Sequence, residues 1–173
     1  LVLIDLKKIT LPTKNKIDNQ YWTDSEYSKL LKILNIQNIS KEKMITAFTH
    51  KSATNNDTLS YERLEFIGDR VLNLIAAEIA IKEKKVEIID IQKKYTELVN
   101  NKSLTNIMVN VLKIQNYILF ENIQKPLSET KILSDVFEAI VGLIHLELGI
   151  LAAKTFVREK LLQKTILNNS LKC

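Results

Sequence analysis

The stretch from about Ser60 to Lys84, wound as a helix, is apolar around nearly its whole circumference, yet it carries Glu62, Glu65 and Asp69 within one short run. A helix that is apolar all round belongs in a core. At ~100° per residue the three acids fall at about 0°, 300° and 340°, a stripe about 60° wide. Leu64, Phe66, Ile67, Val71, Leu74 and Ile75 fill the rest of the arc. Crowded carboxylates repel one another weakly when exposed and much more strongly when desolvated. A chain that keeps such a stripe needs either water over it or a cation beside it.

The segment from about Lys131 to Leu148 repeats the arrangement. Asp135 and Glu138 lie one turn apart among Val136, Phe137, Ile140, Val141 and Ile144. Gly142 falls on the same face as these two acids, and Gly68 interrupts the first helix. A glycine inside a helix costs about 1 kcal/mol relative to alanine. Its use is to let another helix approach closely. Two of the chain's three glycines therefore sit beside the acids, and the simplest account is that the two helices pack with their acidic stripes converging. The pattern alone leaves two readings: solvated acidic faces on unrelated helices, or one cluster that holds a cation.

Three glycines and two prolines in 173 residues leave little room for sheet turns, and the apolar spacing predicts an all-α chain. Residues 1–22 read as an extended piece and a tether around Pro12. A helix follows with Thr23 or Asp24 as N-cap, then one from Ser40 through "SKEKMITAFTHKS" in which Lys43 stands where a capping box wants Glu. "NNDTLS" is a loop. After the first acidic helix, a helix over about Ile89–Val99 is broken at Asn100 and Asn101 and restarts in "KSLTNIMVNVLK". "NIQKPLSETK" is a second loop, Gly149 is a natural stop for the second acidic helix, and an amphipathic helix closes the unit. One domain over 23–167 and a frayed tail over 168–173 are expected.

No apolar run approaches the ~20 residues of a membrane span, and "LVLIDL" is shorter than a signal-peptide core. The chain begins with Leu rather than Met, which reads as a processed or trimmed product. The single cysteine, Cys173, and two histidines give no zinc site. A metal here would be held by carboxylate oxygens, which favour Mg²⁺, Mn²⁺ or Ca²⁺. The net charge of +5 suits a polyanionic partner and equally suits solubility. A carboxylate-held Mg²⁺ suits phosphoryl chemistry.

"ERLEFIGDRVL" closely resembles the ribonuclease III family signature ERLEFLGDxVL, with Ile67 for the usual Leu. Three further segments resemble family segments in the same order: "AFTHKS" (47–52), "LVNNKSLTNI" (98–107) and "ILSDVFEAIVGLIHLELG" (132–149). Together they span about Leu30 to Leu162. The resemblance implies an all-helical endonuclease domain that cuts double-stranded RNA with Mg²⁺, Mn²⁺ substituting. It places Glu65, Asp69, Asp135 and Glu138 at the metal, Glu62 close by in a supporting catalytic role, and Phe66 as an aromatic knob between the subunits of a homodimer. Each subunit would cut one strand, leaving 5′-phosphate and 3′-hydroxyl ends with two-nucleotide 3′ overhangs. An intracellular, cytoplasmic location is expected, with organellar or viral origin open.

The departures bear on these expectations. Arg70 replaces a small or neutral residue, and either contacts RNA, pairs with an acid or faces solvent. His145 and Glu147 replace a common Tyr and Asp; His145 reads as a packed or interface residue. Arg70, Lys131, Lys82 and Lys85 are the candidate RNA contacts, with Lys84, Lys93 and Lys94 near them in the pattern. No segment reads as the double-stranded-RNA-binding domain that family members often carry, so weak and strongly salt-dependent RNA binding is expected. The rival readings are a non-catalytic RNA-binding or ribosome-associated member of the family, and one half of a heterodimeric nuclease.

Overall fold

In the computed structural model, α3 (Glu62–Ala80) and α6 (Ile132–Leu148) form the most extensive helix pair among the described residues. The described residues are 22–54, 56–82 and 87–170. The expected N-terminal extension up to residue 21, Lys84, Lys85 and the last three residues lie outside them.

The two helices meet at glycines. A Cβ built on Gly68 would overlap the Glu138 carbonyl oxygen and lie 2.6 Å from its carbon and 2.8 Å from the Gly142 nitrogen. One built on Gly142 would overlap the Leu64 carbonyl oxygen and lie 3.0 Å from the Gly68 nitrogen. Backbone therefore packs directly on backbone, closer than any residue with a side chain allows at that crossing. α6 is the central element: Val136, Phe137, Ala139, Ile140, Val141 and Ile144 are all fully buried.

The other helices wrap this pair. α2 (Lys41–Phe48), α5 (Asn101–Asn106) and α7 (Ile150–Ser170) pack on α6, and α4 (Ile88–Val99) packs on α3 and α5. α1 (Asp24–Leu34) buries Leu30 and Leu34. Its N-cap is Thr23, whose hydroxyl accepts from the Glu26 N–H at 3.1 Å while the Thr23 N–H donates to the Glu26 carboxylate at 2.8 Å. This reciprocal box satisfies donors a helix start leaves open. Trp22 stacks edge-on against Phe48 and Tyr117 at its foot.

The chain is all-α, as its periodicity predicts; no strand forms among the described residues. Three local features differ from the sequence expectation. α2 stops at Phe48 because Thr49 turns extended and bridges Leu119, with Leu119 N–H donating to Phe48 O at 2.9 Å and His50 N–H to Leu119 O at 2.8 Å. α3 ends at Ala80 rather than running to Lys84. After Asn100, which caps α5 by accepting from the Ser103 N–H at 2.9 Å, the backbone widens into a π-helical turn over Ile107–Leu112. That turn brings residues five apart into register and buries both Ile107 and Leu112. Gly149, at φ 86°, ends α6, and α7 begins at the next residue. No described helix is long and apolar enough to cross a membrane.

Candidate active site

Three of the five acids occupy the first turns of their helices. Glu62 and Glu65 begin α3 and Asp135 begins α6, and neither helix has a side-chain N-cap. The positive ends of two helix dipoles thus face the cluster and favour anionic side chains there. Because the glycine crossing sits one to two turns further on, the acidic stripes of α3 and α6 are brought against one another. Glu65, Asp135 and Glu138 each offer an oxygen, and these oxygens lie within 4.8 Å of one another.

They line a cleft of about 480 Å³ together with Glu62, Phe66, Asp69, Arg70, Asn101 and Lys131. Asp69 stands slightly apart, with both oxygens engaged. Arg70 Nη1 donates to Oδ2 at 3.1 Å, and Asn73 Nδ2 donates to Oδ1 at 2.8 Å. Asn73 is held in turn by the Tyr95 hydroxyl at 2.8 Å. Glu62 pairs with Lys51 at 3.1 Å at the rim. Below the cluster, the buried Tyr61 directs its hydroxyl to Asp135 Oδ2 at 3.5 Å, a long bond.

The electrostatics follow from this crowding. Burial, then Asp69, Asp135 and Glu65, push the Glu138 carboxyl up to about 8, with Lys131 opposing. Burial, then Asp135, Glu62 and Asp69, raise Glu65, with Lys51 opposing. Burial raises Asp135, while Lys131, Ser134 and Tyr61 oppose it. Burial, with Asp135 and Glu65, also holds the Tyr61 phenol protonated. An all-carboxylate donor set in which three acids resist ionisation fits a hard divalent cation, whose charge would reverse that resistance.

A carboxyl whose pKa is higher folded than unfolded binds more protons in the native state between the two values. For Glu138 that window runs from 4.5 to about 8. In chelator, therefore, its contribution favours the fold most below about 4.5 and is lost progressively as pH rises to about 8. Thermal melts with EDTA from pH 5 to 8 should show Tm falling across this range, and Glu138→Gln should flatten the slope. An equal slope in both proteins would contradict the assignment.

Phe66 is 62% exposed on the outer side of α3. Arg70 pairs with an acid, one of its three expected options, and its guanidinium carbon lies 3.8 Å from the Phe66 ring centre. Lys131 is at the cleft, whereas Lys82 follows the far end of α3, about 20 Å from Asp69 by helix rise, and is not brought to the acids. Glu147 pairs with Lys43 at 2.7 Å on the surface, and His145 is part-buried away from the cleft. Sequence reasoning assigned no site role to Asn101, Asn73 or Tyr61. Asn73 carried a readable signal, since it lies four residues beyond Asp69 on the same helix face; Tyr61 and Asn101 reach the site through tertiary packing.

Residues 40–165 match the family model described as Ribonuclease-III-like. The chain is 40% identical over 137 residues to Ribonuclease 3 of Aliarcobacter butzleri, covering 77% of this chain and 60% of that protein. It is 40% identical over 131 residues to Ribonuclease 3 of Campylobacter jejuni, covering 73% and 57%. The chain thus spans little more than half the length of these curated relatives. Among solved structures it resembles the nuclease domain of ribonuclease III from Campylobacter jejuni, for which structural flexibility is described in the region involved in dimer formation. That likeness has a TM-score of 0.69 at 38% identity and covers 77% of this chain and 94% of that one. A second structure of the same nuclease domain gives a TM-score of 0.67 at 35% identity, covering 78% and 92%. With most of its length matched in sequence and in fold, the chain belongs to the ribonuclease-III-like family.

Proposed function

We propose that this chain is the catalytic domain, residues 23–167, of an intracellular endoribonuclease that hydrolyses phosphodiester bonds of double-stranded RNA with Mg²⁺. The observation that carries the reading is the convergence of Glu65, Asp135 and Glu138 on two helices locked at glycines. Family membership supports the nuclease activity, and the relatives named above supply the precedent.

In this reading Glu65, Asp69, Asp135 and Glu138 hold the metal, and Mn²⁺ can replace Mg²⁺. When bound, the metal acidifies water and offsets charge on the phosphate and leaving oxygen. The protein's own groups do the rest. The ionised carboxylates of α3 and α6 would hold the cation. Lys131, at the mouth of the cleft, attracts the phosphate that approaches them. Glu62, neutralised by Lys51 at the rim, keeps the outer edge of the cleft from repelling the backbone as strongly as an unpaired acid would. In-line attack by water leaves 5′-phosphate and 3′-hydroxyl ends. A homodimer built around the exposed Phe66 places two clefts on one duplex, so the paired cuts leave two-nucleotide 3′ overhangs.

The test is incubation of the chain with long duplex RNA at low salt, with Mg²⁺ and with chelator, followed by sizing of the products. Short duplex fragments are expected only with Mg²⁺, while single-stranded RNA of the same sequence stays intact. Cleavage should fall steeply as salt rises, because phosphate contacts displace counterions. Failure to cut at any protein concentration would replace this reading with a non-catalytic RNA-binding role.

A further inference from the structure

Among the five acids of the cleft, Asp69 is distinguished by its partners. Glu65, Asp135 and Glu138 turn their oxygens toward one another, and Glu62 reaches outward to Lys51. Asp69 instead accepts from Arg70 on one oxygen and from Asn73 on the other. Arg70 is itself fixed from three sides. Its Nη1 donates to the Phe66 carbonyl at 2.9 Å as well as to Asp69, and its guanidinium lies over the Phe66 ring.

We propose that Arg70 is a resident counter-ion of the acidic cleft, clamped against Phe66, which a divalent cation must displace from Asp69 in order to recruit that carboxylate. The proposal rests on the reading that the cleft holds such a cation. The two partners of Asp69 differ in kind. Asn73 is neutral and braced by Tyr95, so it orients the carboxylate without opposing a metal. Arg70 is positively charged, and a guanidinium and a metal ion on one carboxylate oxygen repel each other. The Arg70 and Asp69 side chains are 56% and 40% exposed, so their pairing is weak and reversible. It therefore tunes metal affinity rather than blocking the site. Its release also uncovers the Phe66 ring.

Titration with Mn²⁺ by isothermal calorimetry separates the possibilities, using the wild-type chain, Arg70→Ala and Arg70→Lys, with circular dichroism to confirm the fold. Arg70→Ala should bind Mn²⁺ about threefold to tenfold more tightly, the scale of a half-exposed ion pair and a cation–π contact. Arg70→Lys keeps the charge but loses the planar fork and the stacking, and should tighten binding by an intermediate amount. If Arg70→Ala stays within twofold of wild type, the proposal fails while the metal reading stands. If only Arg70→Ala tightens binding and Arg70→Lys matches wild type, the effect is charge at a distance and the clamp is refuted. If neither wild type nor variants take up Mn²⁺, the metal reading itself falls, and this inference with it.

Discussion

Gly68→Ala is expected to be the most damaging single-methyl change in this chain. The atoms its Cβ would strike are backbone atoms of Glu138 and Gly142, which cannot rotate aside as a flexible side chain could. α3 and α6 would have to move apart along their main interface, exposing or loosening the Val136, Ile140 and Ile144 packing beyond it. Alanine offers a helix about 1 kcal/mol over glycine. Overpacking costs about 1–3 kcal/mol even where side chains can adjust, and here the obstacle is backbone. The net expectation is a loss of at least about 2 kcal/mol, or a fall in Tm of at least about 4–8 °C for a domain of this size, with poor soluble yield. Gly142→Ala should behave alike. Gly149→Ala is the contrasting case: nothing lies within 4 Å of its added carbon, and only the disfavoured backbone at φ 86° opposes the change, at about 1–3 kcal/mol. Melts followed by circular dichroism decide the matter. A Gly68→Ala protein that melts with wild type would mean that the crossing is far more compliant than its geometry indicates.

Glu138→Gln should produce the largest functional effect with the least structural cost. The carboxylate sits in the most repulsive position of the cluster, which is why its pKa is pushed up to about 8. Glutamine keeps the shape and removes the charge. Without metal, the variant's stability advantage over wild type should be present at pH 6 and larger at pH 8, by about 2–4 °C for each 1 kcal/mol of repulsion relieved. With Mg²⁺, cleavage of duplex RNA should drop by on the order of 10²–10³ or more, the scale of losing one group that acts on the transition state. Self-association should be unchanged, since Glu138 faces the cleft. Asp69→Asn should lose cleavage similarly. Undiminished cleavage by both variants would remove these acids from the proposed chemistry.

Much of this arrangement is readable in the amino-acid sequence alone. Helical periodicity sorts Glu65 and Asp69 onto one face of α3 and Asp135 and Glu138 onto one face of α6, and the glycines at 68 and 142 mark where the two faces can meet. Those are local signals, repeated every turn. The division among the acids is not local. Whether Asp69 joins the three converging carboxylates or turns to Arg70 depends on side-chain rotamers and on Tyr95, which arrives from a different helix. The early stop of α2 depends on Leu119, about seventy positions away, and a π-helical turn over Ile107–Leu112 leaves no periodic mark distinct from an α-helix. Tyr61 and Asn101 enter the site through tertiary packing in the same way.

Tyr95 has a mechanical meaning as well. It belongs to α4, in which no residue is fully buried, so this helix has little apolar anchorage and should open at lower free energy than α3 or α6. Each such opening withdraws the hydroxyl that braces Asn73, and with it the support behind Asp69 Oδ1. Fluctuations in the outermost wall are thereby transmitted to one carboxylate, while Glu65, Asp135 and Glu138 ride on the stiffest part of the molecule. The cleft has a rigid side and a compliant side, and Asp69 stands where they join.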